Sequence, residues 1–142
     1  MLSKLRERSG SESGFTLVEL LVVMLILGIL AAIAIPAFFN QRDKAQDADA
    51  KSDVRAAQTA IETFATDNDG DYSTATIGAL QTIEQTVNGS ITVAADATGY
   101  TLTLVSDAGQ TFVVDRDGGA ISYTCTPVSN GGCPASGTWA GD

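Results

Sequence analysis

The chain has 142 residues, 44% of them hydrophobic, with eight Lys and Arg against 17 Asp and Glu, no histidine, and a formal net charge of −9. That length holds one small domain plus a membrane segment, and so acidic a chain is a poor binder of nucleic-acid backbone, whose affinity comes mainly from Lys and Arg. With no His, no phosphate loop and no Ser beside a candidate base, no catalytic constellation is legible; neither an enzyme nor a cofactor is expected.

Residues 1–14 form a polar leader carrying Lys4, Arg6 and Arg8 against Glu7 and Glu12. Setting it aside leaves five basic and fifteen acidic residues, a side-chain net of −10. Orientation across a membrane follows Lys and Arg, so the leader stays cytoplasmic and the remainder faces outward. From Leu20 to Phe39 no residue is charged, and only Gly28 and Pro36 interrupt the apolar run. This matches the ~20 residues of a membrane-spanning helix. Glu19 lies just inside its front end, where a lone carboxylate is costly and marks a functional site by default. Ala32-Ile33-Ala34 also fits the small-residue pattern before an ordinary signal cleavage. That alternative predicts a start near Ile35, and it gives neither Glu19 nor Gly14 a purpose.

Gly14-Phe15-Thr16-Leu17-Val18-Glu19, followed by the apolar run with Pro36, resembles the processing and assembly signature of type IV prepilins. The resemblance implies cleavage between Gly14 and Phe15, N-methylation of Phe15, and assembly into a helical filament. It also implies that Glu19 of an incoming subunit pairs with the Phe15 amine of one already in place. A carboxylate in hydrocarbon costs a few kcal/mol, and an amine in the same layer offers it a charge-assisted partner. Gly28 and Pro36 bracket a segment that gives up helical hydrogen bonds cheaply, and in the family this region melts inside the filament.

Residues 40–66 continue the helix with a changed face. Val54, Ala57, Ile61 and Phe64 form one apolar stripe, while the charges from Arg42 through Asp53 fill the other faces. Phe15 to Thr66 reads as a single helix of roughly 78 Å, since a membrane helix tolerates Pro36 as a kink. Asp67-Asn68-Asp69-Gly70-Asp71 stops it, with Gly70 free to adopt a left-handed cap. The alternating aspartates resemble the front of a calcium loop, but the glycine is misplaced and no Glu closes twelve residues.

A short helix is predicted over 76–88, burying Ile77, Leu80, Ile83 and Val87. Strands follow at 91–95, 100–106, 111–115 and 120–124, bounded by Gly and Asp. Short links between them imply an antiparallel meander, one face of which packs on the Val54–Phe64 stripe. Asp115-Arg116-Asp117-Gly118-Gly119 reads as a hairpin turn. Asn88-Gly89-Ser90 fits a glycosylation acceptor pattern, but so common a tripeptide reads as an ordinary turn between two predicted elements. Cys125 and Cys133, in an outward-facing domain without histidine, read as a disulfide rather than a metal site.

The expected fold is α+β, with a long spine helix packed on a small antiparallel sheet. Its parts are a leader (1–14), a membrane and filament-core segment (15–39), an amphipathic half (40–66) and a head with a C-terminal disulfide loop (67–142). The expected function is a structural subunit, first a single-pass inner-membrane protein and then part of an extracellular pilus for adhesion, motility or DNA uptake. A pseudopilin of a type II secretion system is the alternative. The resemblance implies as partners further copies of the chain, a prepilin peptidase, a platform protein, a cytoplasmic ATPase and the membrane. No direct nucleic-acid binding is expected of the shaft. Conduction along Phe15, Phe38, Phe39, Phe64 and Tyr72 is a further alternative, against which stands their simpler role in packing.

Overall fold

The computed structural model describes residues 14–140; the leader positions before Gly14 lie outside them. The chain divides into two compact units between Phe38 and Phe39. Helix α1 (Leu17–Asp67) carries Pro36 in its interior, and α2 (Ile77–Ile83) follows it. Four strands complete the fold: β1 (Thr92–Ala95), β2 (Tyr100–Val105), β3 (Thr111–Asp117) and β4 (Ala120–Thr126). They pair in sequence order, each antiparallel to the next. The α+β meander expected from the sequence is the architecture observed.

Helix α1 ends where the aspartate run begins. Asp69 and Gly70 both take positive φ, 57° and 85°, and the Gly70 N–H donates to the Ala65 carbonyl at 2.7 Å. This closure satisfies a carbonyl the helix end would leave unpaired. Asp69 thus shares the left-handed role that the sequence suggests for Gly70 alone. The predicted second helix is shorter than expected. Thr76 caps it by accepting from the Ala79 N–H at 3.2 Å, and it stops at Ile83, which is exposed rather than buried. Val87 still reaches the core, from the turn beyond.

Alternation along β2 is as read: Tyr100, Leu102 and Leu104 are buried, while Thr101, Thr103 and Val105 are not. They pack with Phe112 and Val114 of β3 against α1. On α1 the buried residues are Asp47, Ala50, Val54, Ala57, Ala60, Ile61 and Ala65. Phe64, assigned to the stripe, is only partly buried; Ala60 and Ala65 take the inward positions. Small alanines let the sheet approach the helix closely, and Ile61 and Val54 fill the space between them. The expectation that every charge from Arg42 to Asp53 faces solvent is overturned by Asp47, which is fully buried.

Asp117 and Ala120 close the β3–β4 hairpin across Gly118 and Gly119, at φ 53° and 95°. Two successive left-handed residues suit a two-residue turn between twisted strands, which is why glycine occupies both. Asn88 does sit in a turn, and its side-chain amide donates to Asp53 at 2.7 Å. Beyond β4 the chain doubles back: Cys125 N–H donates to the Gly137 carbonyl at 2.8 Å, and Thr124 bridges Thr138. The returning segment covers the edge of β4 and delivers Trp139 into the core, 2% exposed.

Candidate functional site

At the front end, Gly14–Thr16 are irregular and α1 starts at Leu17. Thr16 caps the helix: its hydroxyl accepts from the Glu19 N–H at 3.1 Å, and its carbonyl from the Leu20 N–H at 3.1 Å. Thr16-Leu17-Val18-Glu19 therefore has the spacing of a capping box, a signal legible in the sequence and missed there. The box places Glu19 in the first turn, beside the positive end of the helix dipole. Its carboxylate forms no hydrogen bond or ion pair among the described residues. The backbone of this position is fixed, and its charge is left available.

Around that carboxylate the surface is almost wholly apolar. Phe15 is 80% exposed, and the large hydrophobic side chains from Leu17 to Phe39 are exposed with it. Among the described residues, none on α1 before Asp47 is buried. The mean hydropathy of the most apolar window is 2.9, enough for a membrane span by length and composition. A contiguous apolar surface of this extent marks a membrane or protein contact. Ala32-Ile33-Ala34 lies inside the same helix. A Cβ added at Gly28 would meet nothing within 4 Å, so a single copy offers no steric reason for glycine there. Pro36 has no N–H to donate, which leaves the Ala32 carbonyl without its usual helical donor.

The head is held by two polar centres that periodicity did not reveal. In the first, Asp47 accepts from the Ser106 hydroxyl at 2.5 Å and from the Gly132 N–H at 2.6 Å. It thereby ties α1 to the β2–β3 turn and to the loop closed by the Cys125–Cys133 disulfide, whose Cα atoms lie 5.7 Å apart. A Cβ on Gly131 would overlap the Asp47 carboxylate, so this approach requires glycine. Asp47 lies seven residues before Val54 and so on the same helical line. Extending the stripe backward by two turns would have located it.

In the second centre, Glu62 accepts from Tyr72 at 2.9 Å, from Tyr100 at 2.8 Å and from Arg116 at 2.8 Å. Arg116 also lies over the Tyr72 ring, 5.6 Å from its centroid. Burial, reinforced by the hydrogen bond to Glu62, pushes the Tyr100 hydroxyl well above its ordinary range, and Tyr72 moves the same way for the same reasons. These contacts join residues from α1, the loop after it, β2 and β3, separations that no local pattern encodes. Both centres bind the head together.

Comparison with known proteins bears on the front end. Residues 10–35 match the family described as the prokaryotic N-terminal methylation motif. Type II secretion system core protein G of Pseudomonas aeruginosa is 44% identical over 57 residues, which cover 40% of this chain and 40% of that protein. Type IV major pilin protein PilA of Myxococcus xanthus is 45% identical over 56 residues, covering 39% of this chain and 26% of that protein. Type IV major fimbrial protein FimA of Dichelobacter nodosus is 46% identical over 56 residues, covering 39% and 36%. The matches thus span well under half the length of each relative. No solved structure matches the chain.

Proposed function

We propose that this chain, which by its front end belongs with the type IV pilins and the type II secretion pseudopilins, is the repeating subunit of a filament built around residues 15–39. One observation carries the reading: the methylation motif over residues 10–35 runs directly into a helix whose entire apolar first part is uncovered. In a bilayer, lipid covers that surface. In a filament, other copies do.

Cleavage between Gly14 and Phe15 creates an amine four residues before Glu19, just ahead of the first turn of α1. Glu19 of an arriving copy pairs with the Phe15 amine of its neighbour, which removes the cost of a lone carboxylate in hydrocarbon and sets the register between copies. The free carboxylate held in the first turn by Thr16 supports this role. Gly28 and Pro36 mark the segment that gives up helical hydrogen bonds when copies pack. The prepilin peptidase, a platform protein and an ATPase are the machinery such a subunit needs, since the head offers no chemistry of its own. The mature chain is an inner-membrane protein until it is extracted into the fibre. Relatives of the core protein G kind support the second reading, a pseudopilin of a secretion system, which uses the same front end for a periplasmic fibre.

The test is Glu19→Ala in the full chain. Cleaved, membrane-held subunit should accumulate normally while filament falls to a small fraction of the wild-type yield. Wild-type filament from that variant would refute the pairing.

A further inference from the structure

Lys44, Lys51 and Arg55 follow one another along α1 at steps of seven and four, so they share one flank of its outer half. Asp49 and Asp53 each stand two residues before Lys51 and Arg55, roughly 200° around the axis, and form the opposite flank. Asp107, in the β2–β3 turn, joins them at a shallow cleft of about 110 Å³. Between the two flanks runs an exposed strip of Ala45, Ala48, Ser52, Thr59 and Thr63.

The strip is less polar than its composition suggests. Thr59 and Thr63 donate their hydroxyls back to the carbonyls of Arg55 and Thr59, at 3.1 and 2.9 Å. That leaves their methyl groups outward. The charges beside them form no ion pair within the chain: among the described residues the one ion pair is Arg116–Glu62, and of the acidic flank only Asp53 is engaged, by the Asn88 amide at 2.7 Å. Lys51 and Arg55 instead rest over the rings of Phe112 and Trp139, 5.5 and 5.3 Å from the centroids. Those rings fix where the basic flank points while leaving its charge unneutralised.

We infer that this face is the contact between the head domains of successive copies, the basic flank of one meeting the Asp49–Asp53–Asp107 flank of the next. A second copy is the occupant the charges select. An unrelated acidic protein would cover one flank and leave the other bare, whereas an identical copy supplies the complement of each. Because the two halves lie on opposite sides of one helix, the contact is heterologous, and it propagates instead of closing into a dimer. The inference rests on the filament reading and adds to it the part of the head that selects the neighbour.

The test uses the full chain in cells that make it. Lys44→Glu with Arg55→Glu reverses the basic flank, and adding Asp49→Lys with Asp107→Lys restores complementarity with the signs exchanged. The four side chains are exposed and none forms a hydrogen bond among the described residues. The first variant should lower sheared filament about tenfold, the order expected when a few surface pairs turn from attraction to repulsion. The fourfold variant should recover most of that loss. Wild-type resistance of the membrane-held subunit's head to proteolysis confirms that it is folded, a readout that loss of Arg55 from the Trp139 ring does not itself move. Wild-type filament should also fragment more readily in 1 M salt, where screening is complete within ~3 Å. Wild-type yield after reversal, failure of the folded fourfold variant to recover, or salt-insensitive fibres would each overturn the flank pairing. Fibres that lack this chain in the wild type would overturn the filament reading itself.

Discussion

Asp47→Ala is the most informative perturbation of the head. The carboxylate is fully buried and accepts two hydrogen bonds, from Ser106 and from the Gly132 backbone. Hydrogen bonds to a charged group contribute about 1.5–3 kcal/mol each, and a donor left buried without an acceptor adds its own cost. The Ser106 hydroxyl proton can rotate to another acceptor while its oxygen keeps the Gln110 N–H at 3.2 Å. The Gly132 N–H has no such freedom. The expected loss is therefore about 3 kcal/mol, nearer the cost of one strong bond plus part of a second. For a head of this size that lowers the midpoint of thermal unfolding by roughly 12–20 °C. Trp139 is the chain's one tryptophan and is buried beside Phe112 and Tyr123, so its fluorescence reports head unfolding in detergent-solubilised full chain. Asp47→Asn keeps the volume and one acceptor, and should cost about 1 kcal/mol. A midpoint for Asp47→Ala within a few degrees of wild type would refute the claim that this carboxylate clamps the disulfide loop to α1.

Two further expectations follow from the packing. Tyr100 and Tyr72 have folded-state pKa values raised above the unfolded value near 10, by burial and by the bond to Glu62. The unfolded chain then loses these protons first, so their contribution is complete below about pH 10 and declines as pH rises above it. Denaturation midpoints should fall above about pH 10, and Tyr100→Phe should flatten that fall; a midpoint constant to pH 12 would contradict it. Separately, Gly99→Ala places a Cβ into the Arg116 carbonyl, an overlap with backbone on the neighbouring strand that should cost about 1–3 kcal/mol. Gly28→Ala meets nothing and should leave the Trp139-monitored midpoint unchanged. Equal stability of Gly99→Ala and wild type would show that β2 and β3 separate freely at that point.

The parts of this molecule that were legible in its sequence are those governed by short periods. The apolar run from Leu20 to Phe39, the alternation of Tyr100, Leu102 and Leu104, and the glycine pair at 118 and 119 each declare their surroundings through immediate neighbours. The motif from Gly14 to Glu19 is likewise local, and the capping box within it sets the start of α1. Asp47 was misplaced because an aspartate on a helix is ordinarily solvated, and nothing nearby announces that Ser106 and Gly132 will enclose it. Glu62 and Arg116 lie 54 positions apart, and only the completed meander brings them into contact. Trp139 belongs to a segment without periodicity, positioned by the disulfide and by pairing with β4. Phe64 and Ile83 failed for a subtler reason: each sits at the edge of its stripe, where a fraction of a turn decides between core and water.

The most direct measurement of the central claim is the intact mass and N-terminal fragment spectrum of the protein recovered from purified surface fibres. The expected product is a chain that begins at Phe15, carries one methyl group on its amine, and retains the Cys125–Cys133 bond. Fibres without this polypeptide, or a product that begins near Ile35 and so lacks Glu19, would contradict it.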